Sequence, residues 1–558
     1  MSNVQNSYLE EDCTQLKVLI VVPHQDDEIN LAGATIKHFT ESGAQVFCVY
    51  TTNGDYCYSA ETRIQEACAS LQCLGVEKQN IFCLGYGDTP NWKELKHISN
   101  SLTQPVVSSA GHKETYGTRI IDDYVFKKTG CHHSYCRMNY KADLKQVVLD
   151  IKADVIIGID LDSHQDHRFC SLLLDEILGE ILCKYPDYRP ILFKGFAYGT
   201  AFDAEKDFYN INLLSTIKPK KGQSINLNYD IHVLSIYDWQ DRVRFLVPNS
   251  CRKQFLLNNI IFKALCCHKS QLAGWSATSI INGDQVFWQK RTDNLLFNAS
   301  LTASSGNGEL VRDFKLWDSN DLEPAILPLT RYVWQPSEQD YVKSIKFTWE
   351  KPQMIKLIQL YGSINDGNQV LAGKILVNHK IKAVFGPIPA NGAPLRMEIT
   401  NENCVTSLAV QLTDWKGTPG LAQIEAFGEL IQTSVLKPWI KIMVDDNFIY
   451  DYWIAKNQKY VEVSVYRFNY AGPVKFSIIE GNDCQVEENK LCFSDDCAMT
   501  VLRVEAEDDK RIFDQVVIRR CDKRVFDGFK ILQRIDEFLT HIYLRFWRKY
   551  VVLKKRCG

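Results

Sequence analysis

Two short stretches of the sequence hold the residue types of hydrolytic chemistry. Pro23-His24-Gln25-Asp26-Asp27-Glu28 places one histidine and three acids side by side, and Asp162-Ser163-His164-Gln165-Asp166-His167 places two histidines among two acids. Acids and imidazoles gathered this densely are costly unless a cation or a substrate uses them. Imidazole and carboxylate ligands suit Zn²⁺, whose catalytic sites keep three protein ligands and an open position for a water with a pKa lowered to about 7. A lone histidine at a strand end is more often structural than a ligand. Two His/Asp clusters, each following an apolar strand, point instead to a metal hydrolase. No G-x-S-x-G elbow or Cys/His pairing competes for the role.

The elements that must position these residues are legible. Leu16–Val22 and Asp154–Ile159 are the apolar runs that directly precede the two clusters, and Val46–Tyr50 is another of the same kind. Such runs are expected of strands buried on both faces. Between them Ala60–Leu74 puts Ile64, Ala67, Cys68 and Leu71 on one helical face, with Gly75 as a stop. Strand, helix and strand in alternation predict βαβ units and a parallel sheet. Both clusters then lie beyond the carboxyl ends of strands, where open α/β sheets bind ligands. After Asn294 the pattern changes to short alternating runs, among them Tyr341–Trp349, Ile355–Tyr361, Lys374–Val377 and Ser407–Leu412, which predict an antiparallel sandwich. A second β segment follows, with Tyr460–Tyr466 and Asp514–Ile518 as its clearest strands. The expected fold class is α/β, a Rossmann-like parallel sheet with flanking helices, followed by two β-sandwich-type domains and a C-terminal amphipathic helix. The expected boundaries are 1–293, 294–430, 431–520 and 521–558.

At the two clusters the sequence resembles the PIG-L / LmbE-like family of zinc-dependent N-deacetylases. The family form (A/P)-H-P-D-D-E appears as PHQDDE, with Gln25 in place of Pro, and H-x-D-H appears as HQDH. Thr52-Asn53-Gly54, Arg63…Glu66…Leu74-Gly75, Leu84…Asp88 and Lys263-Ala264-Leu265…His268-Lys269-Ser270-Gln271 resemble further family segments, so the likeness spans about residues 14–293. The resemblance implies that His24, Asp27 and His167 are zinc ligands and that Asp26 is the general base. It implies that His164 steadies the oxyanion or protonates the leaving amine, with Asp166 holding His164. Arg63 and Asp88 would lie near sugar hydroxyls, and Glu28 would support the loop. The implied activity is removal of the N-acetyl group from an N-acetylglucosamine-type sugar in glycan or glycolipid biosynthesis. Two alternatives stay open: a deacylase of another small N-acyl compound, and an inactive glycan-binding protein.

Residues 294–430 resemble discoidin-like, galactose-binding-type sandwiches through Asn294-Leu295…Ala299, Ile358–Gly362 and Gly420–Gly428. Trp317 and Trp334 could stack on sugar there, or could be core. Cys131-His132-His133…Cys136 could be half of a zinc clip, but no second pair follows. The remaining composition is that of an ordinary globular chain: 45% hydrophobic and 23% charged, so disorder does not account for its bulk. A net charge of −3 argues against a nucleic-acid partner. The 19 cysteines follow no spacing, no basic leader opens the sequence and no long apolar run occurs. A cytoplasmic protein with reduced cysteines is expected.

From Cys521 to Gly558 ten Lys/Arg stand against four acids, and Ile531, Ile535, Phe538, Leu539, Ile542, Phe546, Tyr550 and Leu553 recur at helical spacing. Two readings of this helix stay open. It could lie on an anionic membrane surface, placing the protein at the membrane's inner face. Alternatively, its apolar face packs on the preceding β domain and the basic end is solvated.

Overall fold

The computed structural model describes residues 13–88, 97–161, 164–185, 187–197, 212–216, 241–252, 255–316, 332–364, 367–400, 402–432, 434–481 and 484–557. Seven strands form the first sheet: β1 (Lys17–Val22), β2 (Gln45–Thr52), β3 (Ile81–Tyr86), β4 (Val155–Ile159), β5 (Ile191–Gly195), β6 (Val243–Leu246) and β7 (Asp284–Lys290). Their order is β3-β2-β1-β4-β5-β7-β6. The first five run parallel, while β7 pairs antiparallel with β5 and β6 antiparallel with β7. Helices α1 (Asp27–Glu41), α2 (Ala60–Cys73), α3 (Tyr124–Thr129), α4 (Arg137–Ile151) and α5 (Gln165–Lys184) connect and cover the parallel part.

The apolar runs behave as their composition requires. Every residue of β4, and every residue of β1 after Lys17, is buried. They pair in register from Val18↔Val155 to Val21↔Gly158. From β1 the chain steps out to β2 and β3 on one side and returns to β4 on the other. The strand order therefore reverses between β1 and β4, and a crevice opens at their carboxyl ends. The sequence places one His/Asp cluster after each of these two strands.

Beyond Asn294 two sheets share one core. Five antiparallel strands, ordered Lys380–Phe385, Gln369–Val377, Val405–Lys416, Ser344–Gln353 and Ser300–Ala303, face three ordered Leu395–Glu398, Leu357–Gly362 and Leu421–Phe427. Asn294 fastens the entry to the closing strand: its Oδ1 accepts from the Ala426 and Leu296 N–H groups, and its Nδ2 donates to Ile424 O. Trp334 is fully buried and donates its indole N–H to Ser305 O, so it is core and cannot stack on a sugar. Trp317 lies outside the described residues. A further five-stranded and a four-stranded sheet share a third core. Within the four-stranded sheet Asp451–Ala455 pairs parallel with Phe513–Cys521. The chain ends in one helix, Lys523–Cys557.

Candidate active site

The loop after β1 is tied down from three directions. Gln25 donates through Nε2 to Thr52 O at 2.8 Å, joining the loop to the end of β2. Arg63, on α2, donates through Nη2 to Gln25 O and, at 3.2 Å, to Asp26 Oδ1. Glu28 accepts from the Asp26 N–H at 2.9 Å and from His268 Nε2 at 2.9 Å, with both side chains fully buried. One turn along α2, Glu66 accepts from the Ser270 N–H at 2.8 Å and hydroxyl at 2.7 Å. The three-residue spacing of Arg63 and Glu66 puts both on one helix face. From there one reaches the His24–Glu28 loop and the other the segment that carries His268. Gly54 makes this packing possible. Its φ is +62°, and a Cβ there would stand 2.2 Å from Gln25 Oε1 and 3.2 Å from Arg63 Nε.

Asp26 caps α1 with φ at 132°, a region that non-glycine residues avoid. Its neighbours over-determine that conformation and hold its carboxylate at the crevice. Burial pushes Asp26 up to about 6, opposed by the Arg63 guanidinium and aided by Asp27.

Three donor atoms meet beside it. Asp27 Oδ2 lies 3.1 Å from His24 Nδ1 and 3.1 Å from His167 Nε2, and the two imidazole nitrogens are 3.2 Å apart. All three residues are buried. Ligand bonds of about 2.0–2.1 Å in a tetrahedral arrangement would put such atoms roughly 3.3 Å apart, so the triangle fits a divalent cation. Its electrostatics fit as well. Although burial opposes the charge, His167 and His24 hold Asp27 well below the usual carboxylate range. Burial also opposes a charge on His24, yet Asp88, Asp166 and Asp27 raise it well above the ordinary imidazole value. A surround this anionic calls for a cation.

A second, looser group shares His24. Its Nε2 is 3.0 Å from Asp88 Oδ1 and 3.1 Å from Asp166 Oδ2, and donor atoms of His24, Asp88, His164 and Asp166 all lie within 4.8 Å of one another. His164 also groups with His24 and His167. The Nδ1 side is the tighter. With Nδ1 facing the triangle, Nε2–H is left to donate to the carboxylates, the arrangement that fixes a ligating histidine's tautomer and orientation.

Two expectations change here. Asp166 does not hold His164 through its carboxylate. His164 is the N-cap of α5, and its Nδ1 accepts the Asp166 backbone N–H at 3.2 Å, satisfying one of the helix's orphan donors. The Asp166 carboxylate lies 4.0 Å from that nitrogen and bonds instead to His24 at 3.1 Å and His97 at 2.7 Å. Arg63 is 5% exposed and directed at Gln25 and Asp26, so it supports the loop instead of meeting sugar hydroxyls. Asp88, 8% exposed, turns to His24, and its N–H donates to Asp55 Oδ1 at 2.8 Å. His132 and His133 are directed at different acids, Asp123 and Asp143, so the two histidines do not converge as a clip would need.

Sequence reasoning passed over His97 and gave no role to His268. His268 stood within a quoted family segment, so its pairing with Glu28 had a signal. His97 is a lone histidine brought in by a turn, and nothing in its spacing marks it.

Residues 19–178 match the family model PIG-L: GlcNAc-PI de-N-acetylase. A probable N-acetylglucosaminyl-phosphatidylinositol de-N-acetylase of Dictyostelium discoideum is 29% identical over 82 residues, which is 15% of this chain and 31% of that relative. The chain thus spans about a third of the length of the curated relative it matches. Among solved structures, an N,N'-diacetylchitobiose deacetylase from Pyrococcus horikoshii is 16% identical with a TM-score of 0.29, covering 52% of this chain and 88% of its own. An F5/8 type C domain of a Bacteroides fragilis protein is 12% identical with a TM-score of 0.19, covering 24% and 93%. At such scores these two likenesses establish neither fold nor activity. The family match is thus a similarity of residues 19–178, the stretch that also carries His24, Asp26, Asp27, His164 and His167.

Proposed function

We propose that the chain is a zinc-dependent hydrolase that removes the N-acetyl group from an N-acetylglucosamine-type sugar within a glycan or glycolipid. The observation that carries the proposal is the triangle of His24 Nδ1, Asp27 Oδ2 and His167 Nε2, 3.1–3.2 Å apart and flanked by Asp26. In this reading those three residues hold the ion, which supplies polarisation of the amide carbonyl and acidification of a water.

The chain's own groups do the rest. Asp26, fixed by Arg63 and its own strained backbone, takes the proton from the attacking water. His164 accepts a backbone N–H on Nδ1, so its neutral ring carries a proton on Nε2. That N–H can donate to the carbonyl oxygen as the carbon becomes tetrahedral. The proton on Asp26 is then available to the departing amine. Asp166, braced by His97, and Asp88 hold the His24 ring in place. A cytoplasmic location belongs to the same proposal.

The test is a screen for acetate released from N-acetylglucosamine, its oligosaccharides and N-acetylglucosaminyl-phosphatidylinositol, run beside elemental analysis of the purified chain. Acetate release that tracks zinc content is expected. Full activity with well under one equivalent of metal would defeat the proposal.

A further inference from the structure

The C-terminal helix exposes the face that a helix normally buries. Lys523–Cys557 is a single helix of 35 residues, and among the described residues no helix is long and apolar enough to cross a membrane. It docks through the line Asp536, Thr540 and Leu544, which are 7%, 0% and 3% exposed. Asp536 Oδ2 accepts the Leu256 N–H at 3.2 Å, and Leu544 and Trp547 pack on the α/β core. Facing away are Ile531, Ile535, Phe538, Leu539, Phe546 and Tyr550, at 50–70% exposure. At about 100° per residue they cover an arc of roughly 120°. The packing of this apolar face against the preceding β domain, one of the two readings of the sequence, is therefore not what the structure holds.

Along the C-terminal half of the helix the charge beside that face has one sign. From Phe538 to the end of the chain there are six Lys/Arg and no acid. Arg534, Arg545, Arg548 and Lys549 are exposed. Trp275, 38% exposed, lines a groove with Phe538, Phe546, Arg545 and Lys549, and the Arg548 guanidinium lies 6.0 Å from its ring. An apolar floor with an aromatic and cationic rim matches an amphiphile with an anionic head. A second copy of the chain fits less well. It would bring the same acid-free half of the helix against a like-charged one unless the pair ran antiparallel, and the arc is wider than the two-position seam of a coiled coil.

We propose that this face is the docking surface for an anionic lipid bilayer, with the helix lying along the headgroups. The docked face meets Leu256 and approaches Gly274, on either side of the helix Ile260–Cys267 and of His268, which contacts Glu28. The helix would therefore lie between such a bilayer and the segment that braces the catalytic loop. The inference is independent of the enzymatic reading, because binding is read without turnover.

The experiment is cosedimentation of the full chain with phosphatidylcholine vesicles, with and without about 30% phosphatidylserine, at low and high salt. Binding to the anionic vesicles that weakens with salt is expected. Phe538→Glu/Phe546→Glu should lower partitioning about tenfold or more. Arg545→Glu/Lys549→Glu should lower it about fivefold or more for each cation at low salt. These side chains are exposed, and circular dichroism melts that match the parent confirm that the variants fold. No binding to anionic vesicles, equal binding to neutral ones, or binding unaffected by the phenylalanine pair would overturn the proposal. So would a dimer in light scattering that only the phenylalanine pair dissociates.

Discussion

Arg63 separates two accounts of the site, because its place in the structure differs from the place its resemblance implies. Its side chain is 6% exposed and makes two donor contacts, to Gln25 O and to Asp26 Oδ1, the latter at 3.2 Å. Hydrogen bonds involving a charged group are worth about 1.5–3 kcal/mol each, and breaking a buried pair typically costs about 3–5 kcal/mol. Arg63→Met should therefore lose about 3–5 kcal/mol in urea unfolding. The larger consequence is geometric. Asp26 sits at a φ of 132° and would drift once its anchor is gone. A displacement of about 1 Å at a reacting group can cost about 10²-fold in rate. The expected kinetics are a kcat down by about 10²-fold with KM within about threefold, since the residue acts through Asp26. Both contacts leave from Nη2, and Arg63→Lys keeps the charge on a shorter, more flexible stem that does not hold a donor at that point, so it should fall between the parent and Arg63→Met. The assay is acetate release at varied substrate, with melts to confirm folding. A KM raised more than about tenfold at unchanged kcat would refute the reasoning and return Arg63 to the substrate.

Asp26→Asn should keep its metal by elemental analysis and lose about 10²–10⁴-fold in rate, whereas Asp27→Asn should lose the metal; identical behaviour would reject the division of roles. Gly54→Ala should destabilise by at least about 1–2 kcal/mol from the left-handed backbone alone and loosen the loop through Gln25, read in the same urea series. His38 is held down at about 4 by burial and Lys441, against an ordinary value of 6.5. The unfolded chain therefore binds a proton first as pH falls, and up to about 3 kcal/mol of stability should disappear between pH 6.5 and pH 4. His38→Gln should flatten that part of the stability curve measured by urea unfolding. A slope unchanged in the variant would place the titration elsewhere.

Local chemistry made much of this protein readable before any coordinates. Leu19–Val22 and Val155–Ile159 are apolar on both faces, so they could only be central strands, and the clusters that follow them had to reach the sheet's carboxyl edge. The helix Ala60–Cys73 was written in its periodicity and in the glycine that follows, and the structure adds a Ser59 cap. What the sequence could not decide was which groups meet once those elements pack. Asp166 and His164 are two residues apart, yet helix capping turned the imidazole onto a backbone N–H and left the carboxylate to His24, 142 positions earlier. Arg63 and Glu66 carry charges suited to a substrate, but the α2 face they share looks inward, so they brace the site. His97 carried no local mark, since the turn that delivers it to Asp166 is set by its surroundings. The C-terminal helix shows the same division. Its apolar spacing was plain, but helical period alone does not say which face finds a neighbour. The docking of Asp536, Thr540 and Leu544 on the α/β domain decided that, and it left the greasier face to the solvent.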